Sequence, residues 1–233
     1  SGDIEMRTAS GSLSVVAGDA QGASIDIVGS STVKLGTVAS ASKSAGVAIT
    51  TGSSADLSSG SIALSTGDGN SGTAGSIELR AGHSASAGAN VAIAAGDSSA
   101  SNSIGGKVSV AAGSGATGGD VVIRSGDGST AAGGSIILDA GKGITEAGDI
   151  QVNAGSVNSV GGKAGSISII GGSDIAGANV GGDVTARGGS SVSGVGGSLS
   201  LTGGMSTHSD SGKVEIVSAD SNEAHSGAVG IST

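Results

Sequence analysis

The chain has 233 residues, of which 48 are Gly, and it contains no Pro, Cys, Trp, Tyr or Phe. Its formal net charge is −9, which argues against nucleic acid, a partner that needs a basic footprint. Without Cys there is no disulfide framework and no thiolate metal or redox site, and without a run of 18 apolar residues there is no transmembrane helix.

Taken in order, the chain is one short phrase rewritten many times. The first large apolar residues of successive segments are Ile4, Leu13, Ile25, Val47, Ile62, Ile77, Val91, Val108, Val121, Ile136, Ile150, Ile167, Val184, Leu199, Val214 and Val229. Residues 1–59 are the less regular part, with Val33-Lys34-Leu35 as a degenerate copy. From residue 60 to 233 the copies recur about every 15 residues, so the whole chain reads as a single repeat domain. The start, Ser1-Gly2-Asp3-Ile4, lacks Met and a signal-type apolar stretch, so a processed or excerpted piece is expected.

Inside each copy the period is two, the mark of a strand and not of a helix. Ile77, Leu79 and Ala81 share one face, as do Ile136, Leu138 and Ala140, or Ile150, Val152 and Ala154. Large, large, small is the expected inward pattern. The opposite face is mixed, with Ser109, Arg124, Asp139, Gln151, Thr185 and Glu215. Gly brackets every segment and is expected at corners. The residue before the leading Gly, as at Ala132, Ala147, Val160 and Val195, is expected to tuck into the turn.

Sequence self-similarity at a short fixed period predicts a solenoid. The expected fold is therefore all-β, a parallel β-solenoid with two short strands per coil of about 30 residues and roughly eight coils. One 15-residue unit per coil is the competing winding. An antiparallel meander is less compatible, because Asp68-Gly69 and Asp127-Gly128 sit inside links too long for two-residue hairpins. Disorder, the other reading of a Gly- and Ser-rich chain, is opposed by the regular β-branched spacing, the 12% charged content and the missing Pro. Both ends read as interior rungs without polar caps, which predicts end-to-end stacking.

The phrase Gly133-Gly134-Ser135-Ile136-Ile137-Leu138-Asp139-Ala140-Gly141, with its Ser/Gly/Ala links, resembles repeats of large Gly- and Ser-rich β-solenoid proteins of cell surfaces and extracellular filaments. The resemblance spans about residues 60–230 and departs over the irregular first 60. It implies a parallel β fold and an extracellular structural or adhesive role.

Signals for chemistry are sparse. His83, His208 and His225 all fall in links, with no second His at metal spacing. No Gly-x-Ser-x-Gly lies between a hydrophobic strand and a helix, so a serine nucleophile has no support. Asp19, Asp68, Asp97 and Asp127 follow segment-ending glycines, but none satisfies the calcium-binding nonapeptide pattern. Two strands per coil would stack Asp120, Asp149 and Asp183 into a ladder able to take calcium; no other cofactor is expected. The outward face lacks the Thr-x-Thr array of ice binders. These features predict a non-enzymatic, extracellular structural repeat that pairs with itself head-to-tail or within a longer array, and with other cell-surface or matrix components. A module that binds mineral, polysaccharide or ice on one face is the alternative.

Overall fold

The computed structural model describes residues 6, 12–17, 24–38, 44–55, 58–175 and 180–232. The first expected segment, at Ile4, and the turn residue Asp19 lie outside the described residues. The chain divides into two units, Ser1–Ala111 and Ala112–Thr233.

The expected β-solenoid is overturned. Among the described residues there is no helix and no strand, only irregular backbone interrupted by bends and turns. Neither the coil of two strands nor that of one survives. The large aliphatics are not inward either: Val108, Val121, Ile136, Ile167 and Val214 are each 52% exposed, and no described residue is buried. The surface totals 23125 Å², against ~9,000 Å² for a compact monomer of this mass.

What does repeat is a local closure. In unit Ala112–Thr233, the carbonyl of the Gly that ends one segment accepts the N–H of the Gly that opens the next. The pairs, acceptor first, are Gly113 and Gly119, Gly126 and Gly134, Gly141 and Gly148, Gly155 and Gly165, Gly172 and Gly182, Gly189 and Gly197, and Gly204 and Gly212, at 2.8–3.0 Å. Among the described residues of unit Ser1–Ala111 the same closure forms once, from Gly106 to Gly96 at 2.8 Å. From each donor to the following acceptor the chain always advances seven positions, as in 119–126, 134–141, 148–155, 165–172, 182–189 and 197–204. The repeat therefore consists of a constant eight-residue segment and a link whose length varies between closures. The uneven spacing of the copies arises wholly in the links.

These bonds give the physical reason for the missing ladder. Where a closure forms, the segment ends by folding back on its own link, so the ending glycine's carbonyl and the next opening glycine's amide are used locally. A local closure fixes few residues, whereas a parallel ladder must first order a whole coil of glycine-rich backbone. Side chains without a single aromatic ring offer little burial to offset that cost.

Candidate functional site

The position where the chain does pack is the third, small one of the large-large-small pattern. Six described residues are half-buried, and five of them, Ala17, Ala95, Gly171, Gly203 and Ser218, occupy that place. The next opening glycine lies against it. A Cβ on Gly106 would sit 3.1 Å from Ala95 Cβ, and one on Gly134 would sit 3.3 Å from Ser125 Cβ. On Gly119 and Gly148 it would reach Ala112 and Ala140 at 3.5 Å. In three later copies the approach is closer still, and the small residue is itself Gly. A methyl on Gly171, Gly188 or Gly203 would overlap the carbonyl oxygen of Gly182, Gly197 or Gly212. The small code and the bracketing glycines are thus one requirement seen from two sides.

The links display their side chains. Val160 and Val195, expected to tuck into turns, are fully exposed, as are Ile144 and Val192. Val160 precedes Gly161, whose φ of +79° is the one left-handed conformation among the described residues, and that conformation turns the chain without a side chain to collide. Three links carry the same serine device 15 residues apart: the hydroxyls of Ser191, Ser206 and Ser221 accept the N–H of Gly194, Ser209 and Ala224 at 2.8–3.0 Å. Such hydroxyl bonds hold bends that the backbone does not close for itself.

The Asp ladder does not form. Asp120, Asp149 and Asp183 each directly follow an opening glycine and precede the first apolar residue, but among the described residues no backbone hydrogen bond joins one segment to another. Among the described residues no group of three or more His, Asp or Glu side chains could hold a metal ion. His83, His208 and His225 lie in links, as the sequence places them. Charged side chains pair over short range on exposed backbone: Arg80 with Glu78 at 2.7 Å, and Lys213 with Glu215. Solvent screens such pairs, so each contributes little.

No cavity is found among the described residues, and no helix there is long and apolar enough to cross a membrane. The surface assembled by the repeat is the remaining candidate: exposed aliphatic pairs on constant segments, separated by closed polar links. Sequence reasoning located the aliphatic segments and the polar links, but it expected the aliphatics inward and missed the closure. Its signal was available in the fixed seven-position interval between bracketing glycines. No protein family model, curated protein or solved structure matches the chain.

Proposed function

We propose that the chain is a non-enzymatic structural repeat protein that forms or belongs to an extracellular filament, sheath or adhesin stalk and associates with copies of itself. The observation that carries this reading is the recurrence of one eight-residue segment whose aliphatic side chains stay exposed. Water opposes so much unburied apolar surface, and a structural array is a use that brings many such segments together. The sequence adds support, since its reactive side chains are few, scattered and unmatched to any catalytic constellation. The resemblance to Gly- and Ser-rich repeats of cell surfaces supports the location, without the coiled fold it implied.

Immunogold labelling of intact source cells tests the proposal, with negative-stain images of material sheared from their surface. Label on the cell exterior, running along sheared fibres or stalks, is the expected result. Label confined to the cell interior would refute it.

A further inference from the structure

We infer that the segments 165–172 and 197–204 pair with the same segments of a second copy, edge to edge and in register, and that this association supplies the strand order absent from the single chain. The inference rests on the structural-array reading above. The first observation is backbone chemistry. Among the described residues of unit Ala112–Thr233, every backbone–backbone bond closes a link or lies within one, and none joins two segments. The N–H and C=O groups between the bracketing glycines therefore have no backbone partner, and such edges invite another chain.

The second observation is local composition. Ser166-Ile167-Ser168-Ile169-Ile170-Gly171 and Ser198-Leu199-Ser200-Leu201-Thr202-Gly203 carry no charge and no Pro; the second alternates hydroxyl and aliphatic residues, and the first does so up to Ile169, where Ile170 follows. Short uncharged segments of high β-propensity are those that stack in register between chains. Neighbouring segments differ on this point, since 119–126 and 182–189 each hold an Asp and an Arg.

The third observation selects the occupant. The two segments begin 32 residues apart, and in-register pairing of both at once requires a partner with the same spacing, which a second copy has by construction. Area is not limiting. A stable interface takes roughly 800 Å² from each partner, about 50 Å² from each of the 16 residues in the two segments, all of which but Gly171 and Gly203 are exposed.

The experiment uses the full chain over about 1–100 μM, read by sedimentation velocity and amide-I infrared absorption, a range chosen to bracket micromolar association. Mass above 21.1 kDa and a β band should grow together with concentration. The double variant Ile169→Lys/Leu201→Lys places like charges opposite one another and removes two aliphatics. It should raise the concentration of half-association by at least about tenfold. Val192→Lys, which puts the same charge on a fully exposed link residue, should change it by less than about twofold. A chain that stays monomeric throughout, a β band already complete in the monomer, or a double variant that associates like the parent would each overturn the inference. If association fails while the immunogold label still lies on external fibres, the extracellular structural role stands, and this pairing falls together with self-association.

Discussion

The smallest determinant of this structure is a missing methyl group. At Gly188 and Gly203 a Cβ would meet the carbonyl oxygen of the next opening glycine, so Gly203→Ala should force that link apart and release the bond from Gly212 N–H to Gly204. A net hydrogen bond contributes about 0.5–1.5 kcal/mol, so amide exchange at Gly212 should quicken roughly 2- to 10-fold. Ala140→Gly, at the equivalent place in a roomier copy, should leave exchange at Gly148 close to the parent rate. The serine bends allow a separate check. Ser206→Ala should speed exchange at Ser209, whose amide the hydroxyl holds at 3.0 Å, while Ser206→Asp keeps an acceptor there and should preserve protection.

The element of this chain is a segment of fixed length plus a link that is free to vary. Closures already span from 113–119 to 172–182 without change in the bond itself. Two residues inserted between Thr130 and Ala131 should therefore leave the Gly134 amide protected, because lengthening a loop by this amount costs only ~0.2 kcal/mol. One residue inserted between Ile137 and Leu138 reverses the alternation but leaves the glycine pairs 126/134 and 141/148 intact within their own links, so both amides should stay protected there too. Amide exchange at Gly134 and Gly148 in the two variants measures both outcomes. This division also explains how much of the architecture could be read in advance. Alternation at Ile136, Leu138 and Ala140 identifies the segment, and the flanking glycines mark its ends. Period-two alternation does not say which neighbour an extended segment faces. The pattern alone therefore predicts the large residues inward, although Ile136 remains half exposed and the half-buried residues fall at the small third position of other copies, as at Ala95 and Gly203. The Asp120, Asp149, Asp183 ladder needs a vertical register, whereas every backbone–backbone bond among the described residues closes a link or lies within one.

For the molecule as a whole, the decisive quantity is how little surface folding removes. An unfolded chain of 21.1 kDa exposes ~30,600 Å², so the 23125 Å² of this structure leaves only ~7,500 Å² to uncover, about a third of what a compact protein of equal mass would expose. Because the urea m-value follows newly exposed area, a titration at monomeric concentration should give a slope about one-third of that of a compact 21.1 kDa protein, without a sharp transition. A steep, cooperative curve would show that far more surface is hidden than the structure allows.

The glycine closure also bears on how such a gene can change. Because the eight closed links between Gly96 and Gly212 are each tied off within themselves, replication slippage that adds or deletes one such copy leaves the surviving copies with their own closures. Repeat number can then drift between strains without a folding penalty at each step, and foreign peptides spliced between a pair of tied glycines would be carried as passengers.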